Sequence, residues 1–486
     1  MSLTRSWKVA ILLALEVTAV FASPLPKPAA KPDPLSIPWP ILVPIPNPAP
    51  TESANPIPPL PILRPAPAPI DSPPFVSSNL KPKKIGYFWT GPGRFDLYRD
   101  FLAVYSLDDD TFGTFITLTE VPTSGNEPHH LNVARDHKSL VGTGLLSLLK
   151  LQDVEFFFDI TDPYRPKFRN SGRALLSSIG DEIVAKPEGG FFITHMGSAA
   201  GTNVGRLTEW DNEGNLIGEF PTALDIKELE NNLKDQFTPH GLSIDFDKNI
   251  ILTSDFVVPL STLKPTLGIQ RANTLRLWNL KTRSIISTIT IPNGGGIQDV
   301  KFIPGNPDSA AIATAVHLGQ VWVIYPFKYN SDGSQGVAKL LYDLGPKARD
   351  VVAIYTDLTA DGKFLYLSLT TANHIAALDI SDLENPKRLD DPDEDQPIIG
   401  VHSLRVTPDQ KNIVALGYFV QEGDVGILNT PADYKVHYVD RNPDGSLHFN
   451  RTIPFATEFA KWGGARPHFS VVADFSDPAN PKFNSY

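Results

Sequence analysis

From Ile85 onward the chain alternates short apolar runs with polar turns, and helical periodicity is scarce. Runs such as Phe101-Leu102-Ala103-Val104-Tyr105 and Thr114-Phe115-Ile116-Thr117-Leu118 flank the turn Asp108-Asp109-Asp110. Apolar runs of this length, bounded by Asp, Gly and Lys, read as strands. Four stretches share a further pattern: Pro128-His129-His130-Leu131-Asn132-Val133, Pro239-His240-Gly241-Leu242-Ser243-Ile244, Val401-His402-Ser403-Leu404-Arg405-Val406 and Pro467-His468-Phe469-Ser470-Val471-Val472. Each carries a histidine two and four residues before positions of the same alternating face, so four histidines occupy one phase of four strands.

The phase extends between these four when the turn residues Asp136, Asp247 and Asp409 serve as a second anchor. It then falls on Asp181, Gln298 and Ile354. The series 129, 181, 240, 298, 354, 402, 468 advances in steps of 52, 59, 58, 56, 48 and 66 residues. Seven units of about 50 residues predict an all-β chain, a seven-bladed β-propeller spanning 84–486. The one helix expected is a short surface helix over Ala223 to Asp235.

A second repeat is Asp159-Ile160-Thr161-Asp162-Pro163, Asp379-Ile380-Ser381-Asp382-Leu383 and Asp474-Phe475-Ser476-Asp477-Pro478, each followed within four residues by Pro-Lys. Asp, Ser and Thr bond back to their own backbone in turns, so this template is expected to build the same blade corner three times. Its last copy ends four residues from the C-terminus, so the final blade lacks outer strands of its own. The segment Lys84 to Val121 is expected to supply them and close the ring.

The first residues read differently. Arg5 and Lys8 precede an apolar run from Val9 to Phe21 and small residues at Ala22-Ser23. That is the pattern of a secretory signal over residues 1–22, with a run too short to span a bilayer, and the protein is expected to be exported. Pro24 to Pro74 then holds 20 of the 46 prolines, so residues 23–83 read as an extended linker or propeptide. The chain has no cysteine, which excludes disulfides, thiolate catalysis and thiolate metal sites. Asn450-Arg451-Thr452 is a glycosylation sequon. Forty-three basic residues against 54 acidic ones, with no basic cluster, give no footprint for nucleic acid.

Eleven histidines in 486 residues place well under one, by chance, on seven chosen positions; four are there. Inner strands of a propeller line its central channel, so a histidine at one phase of several blades converges on the axis. Neutral imidazoles so arranged suit copper, iron or zinc better than calcium or magnesium. The candidate ligands are His129 or His130, His240, His402 and His468. Asp181 and Glu182 are the candidate proton acceptors or partners of the ligating rings. His195, His137, His317, His374, His437 and His448 carry no such phase and read as structural. Serine-hydrolase elbows, phosphate loops and dinucleotide fingerprints are absent from the sequence.

Phe101-Leu102-Ala103-Val104 followed by Glu127-Pro128-His129-His130, the Asp-Ile-Ser/Thr-Asp-Pro template, Asp361-Gly362-Lys363-Phe364-Leu365-Tyr366 and Arg466-Pro467-His468 together resemble the selenium-binding protein family, whose enzymatic members are methanethiol oxidases. That resemblance implies a seven-bladed propeller and a copper-dependent reaction of a small thiol with oxygen. The chain departs from the family in lacking a cysteine near Phe88-Trp89, in carrying Ile179-Gly180-Asp181-Glu182 in place of a His-Thr-x-His-Cys motif, and in its closing segment, where His468 stands alone. Four histidines on seven blades also look like the carotenoid cleavage oxygenases, an analogy of architecture that would make an aromatic alkene the substrate. The expectation is therefore a secreted, metal-dependent oxidase or oxygenase acting on a small molecule. The alternative is a non-catalytic propeller that binds metal or an extracellular ligand.

Overall fold

The computed structural model describes residues 74–94, 97–222, 236–262, 269–417 and 433–484. The expected signal, most of the proline-rich segment and the helix expected over Ala223 to Asp235 lie outside the described residues. Strands within them form seven sheets. Six are four-stranded antiparallel blades whose strands follow one another in sequence, beginning with inner strands Pro128–Val133, Ser177–Ala185, Pro239–Asp245, Ile297–Phe302, Thr356–Leu358 and Val401–Val406. These are blades 1 to 6. The seven-bladed propeller expected from the histidine spacing is the observed fold.

Blade 7 is assembled from both ends of the propeller. Its inner strand, Ala465–Asp474, pairs antiparallel with Lys84–Pro92, in register from Lys84 opposite Asp474 to Pro92 opposite Ala465. Phe101–Ser106 and Phe115–Glu120 complete the blade outward. The sheet starts earlier than Lys84, because Phe75–Val76 pairs with Leu118 and Thr117 at its outer edge. Pairing of the two ends closes the ring without a covalent link, which suits a chain without disulfides. Tyr87 donates to the Pro163 carbonyl at 2.8 Å and Trp89 to that of Thr143 at 2.7 Å, tying the composite blade to blade 1.

Blades stack face to face, so the second strand of each is buried on both sides. Ser139–Gly144, Ala311–Ala315 and Asn412–Gly417 are buried at every residue. That is why these segments read as continuous apolar runs rather than alternating ones. The repeated Asp template builds the corner before the outer strand in blades 1 and 5, where Asp159 and Asp379 accept the Thr161 and Ser381 amides at 2.9 and 3.0 Å. The third copy differs from expectation. It follows the inner strand of blade 7 and turns the chain into Lys482–Phe483, which pairs back on Ala473 and Asp474. Asn484 then bonds Val406 and Val472, at the far ends of two inner strands.

Candidate metal centre

The shared histidine phase coincides with a recurrent irregularity of the blades. In blades 1 to 4 two inner-strand residues stand opposite one residue of the second strand: His129 and His130, Asp181 and Glu182, His240 and Gly241, Gln298 and Asp299. In blades 6 and 7 the register shifts at His402 and at His468. These are β-bulges, which bend a strand and re-aim its side chains. The residue opposite each of the first four is Thr143, Thr194, Ser254 or Thr314. Thr143, Thr194 and Thr314 accept the amides of His130, Glu182 and Asp299 at 3.1, 3.1 and 3.2 Å. Thr194 and Ser254 also donate to the carbonyls of His240 and Gln298 in the next blade, as Ser368 does to His402. A girdle of hydroxyls thus fixes the backbone of the histidine layer.

Through these bulges all five predicted histidines converge, each nearly completely buried. Ligand nitrogens of His129, His130 and His240 lie within 4.8 Å of one another, as do those of His129, His402 and His468. His129 is common to both triads. Its Nδ1 is 3.2 Å from the Gly180 carbonyl and 3.2 Å from Asp181 Oδ1, so Nδ1 carries the proton and Nε2 offers the lone pair. Asp181 Oδ1 is also 3.7 Å from His240 Nε2. Gln298 accepts the Ile354 amide through Oε1 at 2.5 Å and thereby turns its own amide toward His402 Nε2, 3.4 Å away. His130 stacks on Phe469, with ring centroids 4.7 Å apart, and its Nδ1 is 3.0 Å from Glu182 Oε2.

Burial, and after it the neighbouring imidazoles, holds His130, His402 and His468 well below the ordinary histidine range; burial also lowers His240 in spite of Asp181. Neutral rings are the metal-ligating form. Neither His240 Nδ1 nor His130 Nε2 finds a hydrogen-bond partner. In folded proteins most buried polar atoms are paired. Crowded neutral imidazoles with orphaned nitrogens are the donor set a soft or borderline divalent ion requires, and the residues present fit such an ion.

A second polar layer lies one to three residues further along the same strands. Lys301 Nζ is 3.3 Å from Asp299, 3.2 Å from the Tyr355 hydroxyl and 3.7 Å from Glu182. Tyr355 donates to Glu182 at 2.8 Å, and Asp299 accepts from the Thr356 amide and hydroxyl at 2.9 and 2.6 Å. Asp357 accepts the Val406 amide at 2.7 Å and faces Arg405 at 3.9 Å. In blade 5 the expected phase position, Ile354, joins the apolar core between blades, and Tyr355 stacks with His402 instead.

Above the histidines opens a cavity of about 220 Å³. His129, His240, His402 and Gln298 form its polar floor, and strands and loops from several blades supply apolar walls that include Leu145, Ile179, Met196, Phe256 and Val257. Ile179 has φ of 66°, a left-handed conformation that costs a β-branched residue about 1–3 kcal/mol.

Asp181 and Glu182 are thus brought to the histidines, Asp181 at His129 and His240, Glu182 at His130. The other histidines lie outside the two triads. His195, His374 and His437 have carboxylate partners, at 2.5 Å to Glu155, 2.7 Å to Asp390 and 2.6 Å to Asp433, and His317 lines the cavity. Sequence reasoning missed Lys301, Tyr355 and Arg405, although the same phase arithmetic carried one and three residues further would have reached them. The cavity walls come from strand ends and loops of different blades, and left no signal of their own.

A seven-bladed propeller with a histidine-lined channel is the class that this fold and site define. A solved structure of a hypothetical selenium-binding protein from Sulfolobus tokodaii shares the fold, with a TM-score of 0.63 at 17% identity, covering 81% of this chain and 94% of that one. The periplasmic gluconolactonase of Pseudomonas aeruginosa also shares it, at a TM-score of 0.52 and 10% identity over 82% of this chain and 99% of that one. In sequence the chain is similar to the methanethiol oxidase of Hyphomicrobium sp, 25% identical over 308 residues. That match covers 60% of this chain and 66% of the relative, just under two thirds of its length. No family model matches. The resemblance read from the sequence therefore has a counterpart both in a relative's sequence and in a solved fold. Among the described residues no helix is long and apolar enough to cross a membrane.

Proposed function

We propose that this propeller is a metal-dependent oxidoreductase that uses oxygen on a small sulfur compound, in the manner its relative's name describes. The observation that carries the reading is the pair of buried histidine triads sharing His129. Copper is the metal proposed first, with iron and zinc as the alternatives; copper or iron, when bound, would supply the redox chemistry. His129, His240 and His402 face the cavity and would hold the metal where a substrate arrives, with His468 completing one triad and His130 the other. The Gly180 carbonyl, with the Asp181 carboxylate beside it, keeps the His129 proton on Nδ1 and turns Nε2 toward the metal position. Glu182, between His130 and the Tyr355 hydroxyl, is placed to take or return a proton at Oε2. The apolar walls exclude bulk water from the reacting end of the substrate.

The test is elemental analysis and electron paramagnetic resonance of the purified protein after reconstitution with each metal. Stoichiometric copper or iron with nitrogen coupling, lost in His240→Ala, is expected, together with oxygen consumption on thiols. Full metal content in a folded His240→Ala protein would sink the ligand set. Tight metal with no oxygen consumption on any thiol or aromatic alkene would favour the non-catalytic binding propeller. Export through the N-terminal signal is proposed with it, and the N-terminal sequence of protein recovered from a secreting host would show cleavage near Ala22 or its absence.

A further inference from the structure

We propose, resting on that reading of the site, that the cavity over the histidines takes a neutral apolar molecule far larger than methanethiol, with one end presented to His129, His240 and His402. The room is the first argument. A water needs roughly 10–15 Å³ of such space, so about 220 Å³ accommodates a body on the order of fifteen to twenty non-hydrogen atoms. Methanethiol, one carbon and one sulfur, would leave most of that space empty and most of the apolar wall uncovered.

The wall is the second argument. Ile179, Met196 and Val257 form an apolar cluster of their own, with Leu145, Phe256 and Ile269 packed against it. All three line the cavity wall, with 8, 7 and 5% of their surface exposed. A cluster that packs well and still faces a void is a surface prepared for something to complete it. Ile179 strengthens the point, because glycine would occupy its left-handed backbone without strain. A β-branched side chain held there against its conformational preference is explained by what it contributes to the cavity.

Charge is the third argument. The rim carries one cation and one anion, Arg271 and Asp350, with His317 Nδ1 3.7 Å from Asp350. Burial and the Arg271 charge push His317 down to about 4, so it is uncharged at neutral pH. Opposite charges at the rim give a charged ligand no net attraction.

Calorimetric titration of the metal-free protein with alkyl methyl sulfides, from propyl to octyl, tests this without any catalysis. Affinity is expected to rise about fourfold per methylene until the cavity is filled. Ile179→Gly should weaken the hexyl ligand about tenfold with little effect on the propyl one and no loss of folding. Leu260→Trp, at the mouth, should reject the octyl ligand selectively. Absent binding, or binding whose affinity ignores chain length, overturns the proposal, and so does an Ile179→Gly protein that binds the whole series as the parent does. Because no metal is present, failure here is distinct from failure of the metal reading, which the elemental analysis registers separately.

Discussion

Two buried polar layers lie within three residues of each other along the inner strands, and they are built on opposite principles. The histidine layer crowds five imidazoles together, and His130 and His240 each bring a nitrogen that no protein group satisfies. The layer beneath gathers Glu182, Asp299, Lys301, Tyr355, Asp357 and Arg405, and compensates its charges at 2.6 to 3.9 Å. Desolvated charge must be paired to be tolerated, while desolvated neutral imidazoles can remain available. A site that waits for a ligand thus stands apart from a network that holds the channel together, although the two share strands.

Removing one member from each layer should break the symmetry most strongly. Lys301→Met strands two buried carboxylates and is expected to destabilise the metal-free protein by about 3–5 kcal/mol in denaturant unfolding. His240→Ala in the same assay should stay within about 1 kcal/mol of the parent, because its Nδ1 makes no bond to lose. Equal losses in the two variants would erase the distinction between the layers.

A smaller effect is expected from pH. Burial raises Asp357 to about 6 despite Arg405. A raised carboxylate binds its proton more tightly in the folded state, so its contribution is fully present below about pH 4 and is lost as pH rises through about 6. Relative to Asp357→Asn, the parent should lose on the order of 2 kcal/mol between pH 4 and 7. A difference that is flat with pH would mean that the carboxylate stays ionised throughout. The smallest effect belongs to the hydroxyl girdle. Ser368→Ala removes a bond to the His402 carbonyl and one from the Tyr355 amide, and should cost about 1–2 kcal/mol while broadening the metal spectrum through a less fixed His402.

The blade count and the convergence of four phased histidines were legible because a closed ring repeats one supersecondary unit, and repetition puts a fixed phase into the chain at intervals of about 50 residues. Closure by both termini was legible for the same reason, since a last unit without outer strands must borrow them. Local phase could not reveal that both His129 and His130 enter the channel. Strand alternation sends adjacent side chains to opposite faces, and only the bulge opposite Thr143 brings the two together. Nor could it show that Tyr355 replaces Ile354, that carboxylates partner His195, His374 and His437, or that Leu145, Ile179, Phe256 and Val257 wall a single cavity. Those residues are far apart in sequence and meet only when seven blades close. Periodicity is a property of the backbone that each unit carries alone, whereas the shape and charge of the cavity arise from contacts between units, which exist only in the folded ring.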